Sequence, residues 1–146
     1  REKDFVRKCL PFIEKAQLSK FSLEEARLLS GEEDLQKACE KLHGIGTEAI
    51  VITLGKEGTL LSTVSGNGVI PSIPVSAVDT TGAGDAFIGC LLFLLSRLED
   101  PSEVTDNYEV LAGMVRTANA AGALTTTQFG AIPSLPNQEQ LKAVLQ

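Results

Sequence analysis

The sequence is short of the residues that staple or metallate small domains. Its 146 residues hold three cysteines and a single histidine. Cys9, Cys39 and Cys90 are far apart, odd in number and set in apolar-periodic segments; no CxxC pair exists, and His43 stands alone. A disulfide framework or a Cys/His zinc site is therefore not expected. The expectation is reduced cysteines acting as small core hydrophobes in a cytoplasmic protein. Long apolar runs are also lacking. The longest, interrupted only by Gly89, is Ala86 to Leu95, well below the roughly 20 residues that span a bilayer. The first residues, "REKDFVRKC", hold no apolar signal region. Basic charge is not in excess. Thirteen Lys and Arg face nineteen Asp and Glu, for a net charge of −6. That balance argues against nucleic acid or an anionic membrane as a partner.

What is present is ordinary for one globular domain: 43% apolar residues and 22% charged. Phe5, Cys9, Phe12, Ile13 and Ala16 recur at helical spacing and predict an amphipathic helix over about Lys3 to Ala16. "LSKFS" is a short extended piece. Ser22 with Glu25 forms a capping box that opens a helix through Leu29, stopped at Gly31. Leu35, Ala38, Cys39 and Leu42 mark a third helix, closed near Gly44. "AIVITL", Ala49 to Leu54, is a β-branched run that reads as a buried parallel strand. "GKEG" turns the chain, and "TLLSTV" returns as an antiparallel strand. The prolines of "GNGVIPSIPVSAVD" assign it to an edge or a crossing segment. A helix from about Gly84 to Leu98 is apolar all round, which predicts burial on all sides. Val104, Tyr108, Leu111, Val115 and Ala118 give another helix. "GALTTTQFGAIPSLP" reads as a loop with some strand character, and a last short helix starts near Asn137. Helices alternating with buried strands define an α/β fold with a mostly parallel sheet.

The stretch "VDTTGAGDAF", Val78 to Phe87, places an acid on a Gly-rich corner at the mouth of an apolar helix. Gly82 and Gly84 suit a tight strand-to-helix turn, with Asp85 favoured by the helix dipole. The same corner suits an anion, because amides at a helix N-terminus point outward unpaired. Two familiar phosphate motifs do not fit. A dinucleotide fingerprint needs a third glycine where Phe87 stands, and no GK[ST] of a Walker loop occurs. A site for phosphate alone gains nothing from an adjacent carboxylate. A carboxylate beside amides makes sense when a hydroxyl must approach a phosphoryl group, the acid positioning the acceptor and the amides meeting the growing charge.

"DTTGAGDAF" resembles the C-terminal signature, D-T-x-G-A-G-D, of the PfkB-type, ribokinase-like carbohydrate kinases. That resemblance implies a ribokinase-like three-layer αβα fold. It implies Asp85 as catalytic base and Gly82, Ala83 and Gly84 as an anion hole. "SLEEARLLSG" resembles the family's N-x-x-E element, with Glu25 at the glutamate that helps place Mg²⁺ through water. Ser22 stands where many members have Asn, a departure also common among fructokinases; the capping box remains the other reading of this pair. "TLGKEG" resembles the loop packed beside ATP, which implicates Thr53, Gly55, Lys56 and Gly58, although a simple hairpin turn explains the stretch as well. "ANAAGALTTTQFGAIPSLP" resembles the closing stretch, with Asn119 near the adenine. The family's monovalent cation, usually K⁺, maps onto Asp79, Thr81, Thr125, Gln128, Gly130 and Ser134, mostly through backbone carbonyls.

These kinases run to roughly twice this length, so residues 1–146 are expected to be the C-terminal, ATP-binding half. The N-terminal half would carry most of the sugar contacts and a β-sheet lid, through which a homodimer could form. The wording of the motifs is most similar to fructokinases. The expected activity is ATP-dependent conversion of D-fructose to fructose 6-phosphate, with ATP and Mg²⁺ and with K⁺ as the further ion. Ribose, a keto-deoxy sugar acid or a nucleoside are the alternative acceptors. A non-catalytic partner protein of the same fold is the reading from a different class, opposed by the intact Asp85 and glycines. A dinucleotide-dependent oxidoreductase is opposed by Phe87.

Overall fold

The computed structural model describes residues 2–145. Four strands form one sheet in the order β1 (Leu18–Ser22), β2 (Ala49–Thr53), β3 (Thr59–Thr63), β4 (Gly66–Ile70). β1 and β2 are parallel, and β2–β3 and β3–β4 are antiparallel. Helices α1 (Glu2–Ile13), α2 (Leu23–Ser30) and α3 (Leu35–Ile45) precede β2, and α4 (Ala83–Leu95), α5 (Tyr108–Thr125) and α6 (Gln138–Leu145) follow β4.

β2 shows why the layers form. Successive side chains of a strand point to opposite faces. Ile50 and Ile52 join Ile13, Phe21, Ala26, Leu29, Cys39 and Leu42 in a core under α1 to α3. Ala49 and Val51 join Leu61, Ile70, Phe87, Leu91, Leu111 and Val115 in a second core under α4 and α5. A strand buried on both faces must be apolar throughout, as "AIVIT" is. His43 is a structural strut. Its Nδ1 lies 2.9 Å from the carbonyl of Thr47 and its Nε2 2.9 Å from the hydroxyl of Ser62.

Local chemistry sets the ends of the elements. The Ser22 hydroxyl accepts from the Glu25 amide at 3.2 Å, and the Glu25 carboxylate accepts from the Ser22 amide at 2.8 Å, so the capping box is complete. Gly31 ends α2 in the left-handed conformation at φ 71°. Asn107 caps α5 through Val110.

Four expectations need correction. α4 is buried on one side only. Ala86, Phe87 and Leu91 are buried, but Leu92 is 55% and Phe93 47% exposed. Only the face against α5 and the sheet finds partners, and hydropathy alone does not say which faces are covered. α1 ends at Ile13, and Phe12 is 78% exposed; of that helix's apolar residues only Ile13 is buried. α5 starts at Tyr108, after a separate 3-10 turn at Pro101–Val104, and runs to Thr125. "GALT" is therefore helical, its Ala and Leu continuing the helix, and turns without strand follow it. Of the cysteines, Cys39 is buried while Cys9 and Cys90 are half-buried.

Candidate active site

A cleft of about 720 Å³ opens between the β2–β3 turn, residues 72–77, the start of α4 and the second half of α5. It lies past the C-terminal end of β2, where open α/β sheets hold their ligands. Thr53, Gly55, Lys56, Gly58 and Asn119 all line it, together with Ala83 and Gly84. Thr53 and Asn119, far apart in sequence, are thus brought to one cavity. Sequence reasoning missed the wall of Ile73, Pro74 and Val75, which lines the cleft together with Asn119 and Gly122. Its only signal was an apolar, proline-bearing segment after an edge strand.

The turn is built on Gly58, at φ 110°. A Cβ there would lie 2.1 Å from the carbonyl oxygen of Ile70, so only glycine lets β4 close over the turn. The wall behind it is held by Asn119, which is 6% exposed. Its carboxamide accepts from the Thr59 hydroxyl at 2.6 Å and donates to the carbonyls of Ile70 at 2.9 Å and Pro71 at 3.3 Å. Those bonds engage both polar ends of the side chain. Asn119 therefore lines the cleft as a tie between α5, β3 and the chain leaving β4.

The Gly-rich corner opens α4. Gly82 is its cap, in the left-handed region at φ 81°, and a Cβ on it would lie 2.4 Å from that of Ala131. The Ala83 amide turns back onto the Thr80 carbonyl at 3.3 Å, and the Ala86 amide bonds the Gly82 carbonyl at 2.8 Å. Among the described residues, the amides of Gly82, Gly84 and Asp85 find no acceptor. Unpaired amides at the positive end of a helix favour an anion. The available set thus differs by one from the expected Gly82, Ala83 and Gly84: the Asp85 amide is free where that of Ala83 is turned away. Gly84 has no side chain to cover the corner; a Cβ there would meet only the Lys20 ammonium, at 3.6 Å. Asp85 is exposed on the first turn of α4 and borders a second cleft, of about 770 Å³, between α4, α5 and α6. A carboxylate so placed can accept a proton from a hydroxyl arriving beside the amides.

The remaining expected positions cluster around Asp79. One carboxylate oxygen accepts from the Thr81 amide at 2.9 Å and the other from the Gly130 amide at 3.0 Å. The Thr81 side chain, the Thr81 amide and the Gly130 amide hold the Asp79 carboxyl below its ordinary value. The Thr126 carbonyl accepts from the amides of Val78 and Asp79, and the Ser134 hydroxyl donates to the Phe129 carbonyl at 3.2 Å. Asp79, Thr81, Gly130 and Ser134 belong to one knot of turns. The buried Thr125 hydroxyl points back to the Ala121 carbonyl, and Gln128 is exposed. The donors here are carboxylate and carbonyl oxygens, the set that suits an alkali cation. Glu25 stands apart from the lining of the cleft, although Ser22 pairs in register with Thr53 at the same end of the sheet. One of its oxygens is engaged in the capping box, leaving the other for water. Among the described residues no three His, Cys, Asp or Glu side chains gather. The residues therefore fit Mg²⁺ carried largely by phosphates and water, and not a protein cage.

Solved structures that superpose on the chain define its class as ribokinase-like αβα. A fructokinase double mutant from Vibrio cholerae O395, in fructose, ADP and potassium ion bound form, matches with a TM-score of 0.89 and 34% identity. The match covers 99% of this chain and 45% of that one. The pfkB family carbohydrate kinase pattern matches residues 1–138, and the chain belongs to that family. Aminoimidazole riboside kinase of Salmonella typhimurium (strain LT2) is 41% identical over 130 residues, 89% of this chain and 39% of that protein. Probable fructokinase-4 of Arabidopsis thaliana is 38% identical over 134 residues, 90% of this chain and 40% of that protein. The chain thus spans about two fifths of the length of these relatives. Among the described residues no helix is long and apolar enough to cross a membrane.

Proposed function

We propose that the whole protein transfers the γ-phosphoryl group of ATP to a sugar hydroxyl, and that D-fructose, giving fructose 6-phosphate, is the acceptor. One observation carries the reading. Asp85 is an exposed carboxylate on the same helical turn as the unpaired amide of Gly84, a residue that lines a nucleotide-sized cleft. In this reading the adenosine part of ATP lies along the Gly55–Gly58 turn and the Ile73–Val75 wall. The amides of Gly82, Gly84 and Asp85, with Ala83 shaping the turn, meet the phosphoryl oxygens. Asp85 accepts the proton of the acceptor hydroxyl as its oxygen bonds to phosphorus, and the bond from phosphorus to the bridging oxygen of ADP breaks. Magnesium, when bound, neutralises charge on the β- and γ-phosphate oxygens; Glu25 would hold its water. Potassium would sit on the oxygens around Asp79, firming the turn that presents the amides.

The remaining length of the protein would supply the grip on the sugar and cover the apolar outer face of α4 at Leu92 and Phe93. The three free cysteines support a cytoplasmic setting, and burial pushes the thiols of Cys39 and Cys90 up. A nucleoside-like acceptor is the second reading, favoured by the 41% identity to an aminoimidazole riboside kinase. ADP release by the whole protein, measured with Mg-ATP and K⁺ across fructose, aminoimidazole riboside, ribose, a keto-deoxy acid and adenosine, decides between them. Fructose should give the highest kcat/KM, and another winner replaces the substrate. Asp85→Asn should cut kcat by about 10²–10⁴-fold with ATP affinity nearly unchanged. Full turnover in that variant would remove Asp85 from its role and the kinase reading with it.

A further inference from the structure

The start of α4 has no side-chain cap; Gly82 offers only its backbone to the helix that follows. What the first turn packs against therefore sets where its amides and Asp85 stand. The chief neighbour of α4 is α5. Gly122 is buried on α5, and a Cβ on it would stand 3.0 Å from the carbonyl oxygen of Ala83, the first residue of α4, and 3.7 Å from the Cβ of Phe87. Ala83 and Phe87 lie one turn apart on the same face. Phe87 anchors that face in the core with Leu111, Val115 and Ala118. At Gly122 the backbones of the two helices thus meet with no side chain between them.

The glycine is out of character for its surroundings. A helix interior favours alanine over glycine, and Ala120, Ala121 and Ala123 flank this position. The exception falls where the first carbonyl of α4 arrives. α5 also holds the other side of the cleft. Asn119, three residues earlier and so on the same face, ties α5 to Thr59, Ile70 and Pro71. Asn119, Gly122, Ala83 and Gly84 all line the one cleft. α5 is therefore a spacer, with the wall fixed at one turn and the amide corner at the next.

We propose that Gly122 is a positioning residue for phosphoryl transfer. Its missing side chain sets how near the first turn of α4 stands to the wall, and hence where the Gly84 amide and the Asp85 carboxylate meet the reacting atoms. The inference rests on the kinase reading above. Gly122 acts through α4 and takes no part in the chemistry. A methyl group on it would press on the Ala83 carbonyl, which must give by a few tenths of an ångström. The backbone that gives is the corner itself. A misplacement of about 1 Å costs on the order of 10²-fold in rate, so a few tenths should cost roughly tenfold.

The test uses the whole kinase with Gly122→Ala, with Gly113→Ala as control and Asp85→Asn beside them. Gly113 lies on the same helix, is exposed, and a Cβ on it would meet nothing within 4 Å. Both alanines are better helix formers than the glycines they replace, so both proteins should fold, with melting temperatures close to wild type. kcat should fall roughly tenfold in Gly122→Ala and hold in Gly113→Ala. Calorimetric affinity for ADP, which lacks the transferred group, should hold in both. Unchanged kcat with a lowered melting temperature would make Gly122 a packing residue only and overturn the assignment. Equal losses of kcat and of ADP affinity would mean general damage to the cleft and overturn it too, as would a Gly122→Ala chain that does not fold. Near-normal kcat in Gly122→Ala with an inactive Asp85→Asn would overturn Gly122 alone and leave the kinase reading standing. Full activity in Asp85→Asn would remove the kinase reading and the role of Gly122 together.

Discussion

Replacing Asn119 by Ala separates two roles that sequence alone leaves merged: contact with the base, or support of the wall behind it. The side chain is 6% exposed and makes three hydrogen bonds, one to the Thr59 hydroxyl and two to the carbonyls of Ile70 and Pro71. Each intramolecular bond contributes about 1 kcal/mol net, and a buried partner left unsatisfied costs about 1–3 kcal/mol. Thr59 is fully buried and loses the acceptor at 2.6 Å. Asn119→Ala should therefore destabilise by about 3–4 kcal/mol, a large part of the roughly 5–15 kcal/mol that holds a domain folded. Denaturant unfolding of the whole protein reads this as a lower midpoint at unchanged slope. Thr59→Val removes the stranded hydroxyl, so the double variant should cost less than the sum of the singles, by about 1–2 kcal/mol. The nucleotide arm is independent. A supporting Asn119 predicts the same ATP-to-GTP preference in wild type and variant, measured on protein still folded. A cost below about 1 kcal/mol, well under the penalty for unsatisfied buried groups, or a collapsed ATP preference, would refute the wall-support argument and return Asn119 to the base.

The two glycines of the corner should fail differently. Gly82→Ala meets both the left-handed backbone and the Ala131 side chain, and should cost about 2–4 kcal/mol in unfolding measurements. Gly84→Ala meets nothing tighter than 3.6 Å, so its melting temperature should hold while its turnover falls, because the methyl group stands over the amides. Equal melting losses in the two variants would contradict this geometry. The Asp79 carboxyl lies below its ordinary value in the folded chain, so its stabilisation is present above the unfolded value and disappears as pH falls through the folded one. The melting temperature should drop below about pH 4, and Asp79→Asn should flatten part of that drop. The rest belongs to Glu24, Glu32 and Asp100, which are shifted the same way.

β2 was legible because a strand buried on both faces leaves no polar position to disguise its period. The capping box at Ser22 and Glu25 was legible because it is local. The α4 corner was legible as a glycine-rich helix start because two glycines and an acid mark one, while a plain turn and an anion site both stayed open. What escaped depends on distant partners. Thr59 and Asn119 are 60 residues apart, and neither carries any trace of the other in its neighbours. The exposure of Leu92, Phe93 and Phe12 escaped because an apolar side chain records its own hydrophobicity and not the presence of a covering element. The unpaired Asp85 amide escaped because backbone groups are invisible to residue type.

The Asp79 carboxylate ties together the amides of Thr81, at the start of the signature, and of Gly130, 51 residues beyond Asp79. In the language of hydrogen exchange these two amides report one opening event, although both lie in segments that would otherwise fray independently. Protonating or removing this one half-buried carboxyl should release them together. The corner at the start of α4 then behaves as a small cooperative unit with its own stability, separable from that of the sheet beneath it.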